Sequence, residues 1–526
     1  MCNLRHALQS RDSVFAGMPV ATTDRMDTAI AADASTDTVS FGVDTIRERA
    51  DADRGCPFSR TSHWIAAQRS PQVPARASSS GLPPGPRTPA FAQTLEWALR
   101  PVRYLERARA MFGHVFTSRL AGFLPIVHVG EPDIVREVFT GPPDWFLAGA
   151  ANGVLEPLLG AESLFVLDGD RHRQRRRALQ PVFRAQRVEP MDAAVYDIAA
   201  RAIARWPRNR VVPLHDRLHE LALELVLHTT MGVEDDEERR ALAADLADLV
   251  DRATRPVMLL RVAQVDLGGA TAWGRLMRVR RSVDRRLFAL IARRRSSARE
   301  AAGGAQPRDV LSRLMCVRDE AGWPLSDEVL RAELLTLIVA GHDTVAAALA
   351  WSVHHLLDNP QWLARARAEA DRALSVGARD ALADELPDIG AVLDESLRLS
   401  PVLPIVGRTL ARDLRIGRLE LPAGVRVAPN AWLAHRNPAC WSAPERFDPE
   451  RFLRSRPSPF AYFPFGGGTR RCVGMVVAQR QMRVVLAAIV RGVDVSRAPG
   501  SRVLAVRRGV ALVPSSGLPV TVANRG

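Results

Sequence analysis

The sequence predicts a mainly α domain with small β-sheets at one side. Three observations lead there. An apolar pattern of helical period fills most of residues 190–400. Inside it one segment runs unbroken for about 30 residues, on the order of 45 Å at 1.5 Å per residue, long enough to cross the middle of a domain. Residues 404–432 instead alternate apolar and polar positions between turns such as Pro422-Ala423-Gly424, the pattern of short strands.

Along the chain, residues 1–80 are rich in Ala, Asp, Thr, Ser and Arg and sustain neither the helical nor the strand period. They are expected to be a mostly disordered extension, with Met18 and Met26 as alternative starts. The segment GLPPGPRTP, residues 81–89, is a stiff joint that opens a folded domain of residues 81–526. Strand-like pieces follow, HVFTSRL (114–120) and LPIVHVG (124–130), then a helix over DIVREVF (133–139). The long helix begins where Ser326 can cap it and where Asp327 and Glu328 complement its positive end. Asp358-Asn359-Pro360 stops it after Leu357. A last helix follows Cys472, with Val476, Val485, Leu486 and Ile489 among its apolar residues.

Composition narrows the function classes. Of 526 residues 47% are hydrophobic, enough for a large buried core. The formal net charge is +14, and every basic residue is Arg. Coding bias toward arginine explains this more simply than an acidic partner does. The arginines are scattered and no aromatic-interleaved basic module stands out, which argues against nucleic acid. Five cysteines, an odd number without a CxxC pair, fit a reducing compartment and neither a disulfide framework nor structural zinc. No apolar run reaches 18 residues, and no basic segment precedes an apolar one at the N-terminus. The expectation is a soluble, cytoplasmic protein without a transmembrane segment.

One cysteine stands in an unusual setting, FGGGTRRCVG, residues 465–474. A thiolate needs help to stay ionised, and a helix N-terminus with the N–H groups of a tight loop supplies it. Gly466, Gly467 and Gly468 let the backbone approach closely. Gly474 and Ala478 lie four apart on the helix that follows, so one face is nearly bare and a large flat ligand could lie against it. Arg470 could reach an anionic group on that ligand. A phosphate loop is excluded, because the GxxxxGK[ST] spacing is absent.

Phe465, Gly468, Arg470, Cys472 and Gly474 together complete the pattern FxxGxRxCxG. Here the sequence resembles the cytochrome P450 family, whose haem iron is bound by such a cysteine. The resemblance covers about residues 81–526, and three further segments carry it in the right order. In DESLR, Glu395 and Arg398 stand three apart on a helix. Such a pair is usually a surface salt bridge; the family buries it and joins it to a third arginine, here Arg451 rather than Arg446 from PERFDPERF, as a structural lock. In AGHDT, Asp343 and Thr344 lie in the long helix. They could be a solvated acid and a hydroxyl bonded back to the carbonyl of Ala340. The resemblance makes them the acid–alcohol pair that delivers protons during oxygen activation. In LDGDRHRQRRRALQPVF (167–183), His172 and Arg176 share a helical face, either as a basic solvated surface or, by resemblance, as donors to the haem propionates. Arg408 and Arg470 match further propionate positions.

The resemblance therefore implies the family's fold and a haem-thiolate monooxygenase carrying haem b (iron protoporphyrin IX). One atom of O2 enters an apolar substrate and the other is reduced to water, the thiolate favouring O–O cleavage. The N-terminal part of the domain looks most like members that oxidise fatty acids, alkanes or terpenoids. The implied pocket takes Phe146 and Leu147 from the loop before the basic helix, and Leu337 and Ala340 from the long helix. Val402, Leu403, Ile405 and Val406 follow the Glu395 helix, and Val510 lies in a C-terminal turn. One or two of these are expected only to pack the core. About 50 residues follow Cys472, too few for a flavin domain, so a ferredoxin-type partner with its NAD(P)H-dependent reductase is implied. An acidic partner would dock beside the cysteine loop, on Arg171, Arg173 and Arg175, which helical spacing turns away from the haem, and on Arg471 and Arg480, which lie near the thiolate end of the site. The alternatives are a haem-thiolate peroxygenase or isomerase, against which the Asp343–Thr344 pair argues, and a basic nucleic-acid-binding protein.

Overall fold

The long helix forms where its cap was expected. Ser326 Oγ accepts the Val329 N–H at 3.3 Å, and the helix runs Asp327–Leu357 with Asp358 as its C-cap. It is apolar on almost every side, as befits a helix walled in by others. Helices Leu214–Val226, Ala272–Glu300, Pro387–Leu399 and Met475–Gly492 all pack against it. It is the one helix among the described residues long and apolar enough to cross a membrane, and most of it is buried within the domain.

The computed structural model describes residues 81–525 except 184–190, 234, 256–257, 259–263, 267–268, 301–308, 320–321, 376 and 378. The expected disorder of residues 1–80 and the alternative starts fall outside the described residues.

The strands predicted near 114–130 and 404–432 join one sheet. Its order is Val115–Ser118, Ile126–Val129, Arg426–Pro429, Arg408–Leu410, Phe146–Leu147. Ile126–Val129 and Arg426–Pro429 run parallel, with Val127 opposite Val427; the other neighbours are antiparallel. Leu414–Ile416 and Leu419–Leu421 make a separate hairpin. Near the C-terminus, Ala505–Arg508 pairs with Ala511–Pro514, and Pro519–Asn524 lies between Val211–Pro213 and Val493–Arg497. Helices dominate and the sheets are small, so the predicted mainly α architecture is the observed one.

Candidate active site

The cysteine loop is shaped by what lies under it. A Cβ on Gly468 would sit 2.0 Å from the Phe139 carbonyl oxygen, and its φ is +63°; a Cβ on Gly467 would sit 2.2 Å from the Phe139 ring. Only glycine lets this backbone rest on the end of helix Pro132–Thr140. The loop then closes on itself: the Cys472 N–H donates to the Phe465 carbonyl at 2.9 Å, and Gly474 caps helix Met475–Gly492. Open space surrounds the position of a Cβ on Gly474. Cys472 is exposed, yet desolvation is the main influence on its thiol and raises its pKa. Both hold for a group on the wall of an enclosed cleft. The Gly474 N–H, Arg176 and Arg471 act in the opposite sense and favour the thiolate.

A cluster of cations stands beside this loop. His172 is buried, its Nε2 has no hydrogen-bond partner, and its pKa is pushed down to about 2, by burial first and then by Arg470, Arg176, Arg408 and Arg173. Burial lowers the pKa of Arg176 and brings those of Arg408 and Arg470 to about 10. Arg470 is held by the carbonyls of Leu164 and Leu167 and by Asp168 at 2.5 Å, and Arg408 donates to the Gly407 carbonyl at 2.9 Å. Asp168 in turn accepts the N–H groups of Gly149 and Ala150 at 2.8 Å. An orphaned imidazole nitrogen among three largely desolvated guanidinium groups is an arrangement that an anionic ligand would relieve.

The long helix keeps one strip of its surface only half-buried. Between Val329 and Val353 every residue is buried except Leu337, Val339, Ala340, Gly341 and Thr344, and four of these share one face by helical spacing. Leu337 and Val339 border the same apolar cluster as Val473 and Val477 of the cysteine segment. Thr344 Oγ1 does donate back to the Ala340 carbonyl, at 2.6 Å. Asp343 is not solvated: it is 7% exposed, with His219 Nε2 3.6 Å and Arg508 Nε 3.9 Å from its Oδ1.

Glu395 and Arg398 are fully buried and joined twice, at 2.6 and 2.8 Å. Arg451 Nε reaches the same carboxylate at 3.2 Å, whereas Arg446 contributes only its carbonyl, to Arg398 at 3.0 Å. Arg398 also donates to the carbonyls of His435 and Pro444. This single side chain thus ties the Glu395 helix to the segment leading into the cysteine loop.

The apolar pocket candidates divide by burial. Leu337, Ala340, Leu403, Ile405 and Val406 are half-buried. Phe146, Leu147 and Val402 are buried, Phe146 and Val402 within apolar clusters. Val510 is 49% exposed, on the turn between two strands.

Two arginines assigned to a docking surface are not on the surface. Arg175 is buried, bonded to Glu333 at 3.0 Å and to Glu162. Arg480 is buried against Asp192 and Asp384 at 2.7 and 2.8 Å. Helical spacing turned Arg175 away from His172, and Arg480 follows the cysteine by eight residues, but the carboxylates they meet come from distant segments. Arg171 and Arg173 are ion-paired and partly exposed, and Arg471 is exposed.

Sequence reasoning passed over Asp168, which ties Arg470 to the start of helix Gly169–Leu179, and the histidines His215, His219 and His342. The two on helix Leu214–Val226 stand four apart, and His342 sits beside Asp343 in AGHDT; those spacings were the available signal.

A family model described as Cytochrome P450 matches residues 83–520. A putative cytochrome P450 135B1 of Mycobacterium bovis is 37% identical over 445 residues, spanning 85% of this chain and 92% of that protein. A putative cytochrome P450 137 of Mycobacterium tuberculosis is 31% identical, over 84% and 91% of the two chains. Among solved structures, a cyanobacterial CYP120A1 with retinoic acid bound superposes with a TM-score of 0.73 at 24% identity, covering 84% of this chain and 99% of its own. The haem domain of cytochrome P450DA gives the same score and identity, over 85% and 98%.

Proposed function

The chain belongs to the cytochrome P450 family, and from that premise we propose that residues 81–526 form a haem-b-binding domain in which Cys472 is the axial ligand. The family binds haem, and the chain is a haem-thiolate monooxygenase, an oxidoreductase. The observation that carries the ligand assignment is the meeting of an accessible thiol, an orphaned His172 nitrogen and three largely desolvated arginines beside one loop.

The residues fit the cofactor by their chemistry. His172, Arg176, Arg408 and Arg470 would hold the propionates, and Phe465 and Gly474 would flank the ligand on the cysteine side. Glu395, Arg398 and Arg451 brace the approach to the loop and take no chemical part. When bound, haem supplies the oxygen-activating chemistry by which one atom of O2 enters the substrate and the other leaves as water. Asp343 holds a proton at its carboxyl and Thr344 passes protons at Oγ1. The Thr344 hydroxyl donates to the Ala340 carbonyl, which leaves its oxygen able to accept.

Replacing Thr344 by Ala should leave electron consumption intact while peroxide replaces oxygenated product. Replacing Asp343 by Asn should slow turnover by one order of magnitude or more with little change in substrate affinity. Unchanged rate and coupling in both variants would remove the proton-handling role and favour a peroxygenase or isomerase.

The substrate we propose is a fatty acid, alkane or terpenoid. The half-buried Leu337, Ala340, Leu403, Ile405 and Val406 offer no hydrogen-bonding side chain. Burial of apolar area, about 25 cal/mol per Å² before ordering costs, must then supply the affinity. Electrons come from a cytoplasmic ferredoxin-type partner with an NAD(P)H-dependent reductase, and Arg471 is the exposed cation left beside the loop to meet it. One reconstitution checks both points. Purified holoprotein should show spin shifts with long-chain lipids or terpenes, and its reduction by ferredoxin should slow with salt and with Arg471→Glu. Binding of small, highly charged molecules alone, or salt-insensitive reduction, would count against the respective assignment.

A further inference from the structure

Four buried polar atoms without a hydrogen-bond partner belong to neighbouring side chains beside the long helix: Asp343 Oδ1 and the Nε2 atoms of His215, His219 and His342. A buried polar atom left without a partner is costly, so their gathering in one place calls for a reason. Helix Leu214–Val226 brings His215 and His219 four residues apart against the long helix, which brings His342 and Asp343. Strand Ala505–Arg508 adds Arg508.

The spacing forms a series from the surface inward. Asp216, half exposed, has its Oδ1 3.9 Å from His215 Nδ1. The His215 and His219 rings are 6.1 Å apart, those of His219 and His342 are 4.5 Å apart, and His219 Nε2 is 3.6 Å from Asp343 Oδ1. The two nitrogen–oxygen distances are longer than direct hydrogen bonds, and the unpartnered nitrogens are groups that a buried water would satisfy. His342 Nδ1 faces the Ile338 carbonyl at 2.7 Å, so it carries the hydrogen and leaves Nε2 as an acceptor. His219 is kept neutral, its pKa lowered to about 3, by burial first and then by His342, Arg508 and His215. A neutral imidazole has one nitrogen to take a proton and one to release it.

We propose that His215 and His219, with Asp216 at the surface and His342 holding the bridging water, form a relay that returns protons from solvent to Asp343. This rests on the reading that Asp343 handles protons. Each proton that Asp343 gives up is replaced by the Nε2 proton of His219, while Nδ1 of the same ring gains one from water on the His215 side. The imidazole stays neutral throughout, and its tautomer is restored when Nδ1 returns a proton to water and Nε2 takes one from water. His219 thus acts through Asp343 and is a positioning residue, not one that touches the reacting atoms.

The test uses holoprotein carrying His219→Phe, His219→Gln, Asp343→Asn and the pair His219→Phe with Asp343→Asn. Both His219 variants should keep the substrate spin shift and the reduced carbon monoxide spectrum. Turnover should fall about tenfold and the solvent deuterium isotope effect should rise about twofold; Gln should be as slow as Phe, since it bonds water but passes no proton. The double variant should be no slower than Asp343→Asn alone. Nitrogen-15 NMR of labelled histidines in the diamagnetic reduced carbon monoxide complex should show the His219 tautomer shifting in Asp343→Asn. Slow Asp343→Asn beside normal His219→Phe would overturn the relay and leave the role of Asp343 standing. Normal rates in both would remove that role and the relay with it. A double variant slower than either single would show that His219 does not act through Asp343, and the relay would fall.

Discussion

A Cys472→His protein will lose the thiolate-type shift of the reduced carbon monoxide complex and, with it, essentially all oxygenated product. The expectation follows from how narrowly the loop is built. Gly467 and Gly468 rest on Phe139, the Cys472 N–H is tied to the Phe465 carbonyl, and Gly474 opens the next helix. The thiol therefore has one place to be. Around it the Gly474 N–H, Arg176 and Arg471 favour the anion against desolvation. Imidazole can replace the sulfur as a ligand but brings no negative charge, so the electronic effect on the iron should vanish even if haem stays bound. Persistence of the thiolate-type band would mean that another residue is the ligand.

Arg398→Ala should be the most destabilising single change in the domain, by about 3–5 kcal/mol. It would strand the Glu395 carboxylate at 0% exposure with only Arg451 and the Asp448 N–H as partners, and orphan the carbonyls of His435, Pro444 and Arg446. Arg398→Lys keeps the charge but not the planar fork that serves five acceptors, so it should recover only part of the loss. Denaturant unfolding of the holoproteins measures this. An unfolding free energy for Arg398→Ala within about 0.5 kcal/mol of wild type, the effect of an ordinary surface change, would show the network to be dispensable.

What the sequence made legible was local. Ser326, Asp327 and Glu328 announce a helix start through cap chemistry within one turn, and Phe465 to Gly474 carry their loop in a run of ten residues. Glu395 and Arg398 stood out by spacing and Arg451 through the family resemblance, and the structure brings the three together. Illegible was whatever depends on what another segment brings. Helical period says which way Arg175 and Arg480 turn, but not that Glu333, Asp192 and Asp384 wait there. Burial of Asp343 was hidden for the same reason, since His219 and Arg508 come from far along the chain. Leu147 and Val402 looked like pocket wall because an apolar side chain serves a wall or a core equally well; the structure buries both.

The parallel pairing of Ile126–Val129 with Arg426–Pro429 sets a timetable for the newborn protein. Ile126 lies opposite Arg426, so one ladder of the main sheet closes a loop of 300 residues, an entropically late event. At about 5–20 residues per second on the ribosome, the first strand waits roughly 15–60 s for its neighbour to be synthesised. Throughout that interval Val115–Ser118 and Ile126–Val129 can pair as a hairpin, but the free side of the second strand is an open edge. The cysteine loop follows Arg426–Pro429 in the chain, so the residues proposed to hold the prosthetic group come together only after that strand has been made. The edge of the second strand is thus the part of the main sheet that stays open longest.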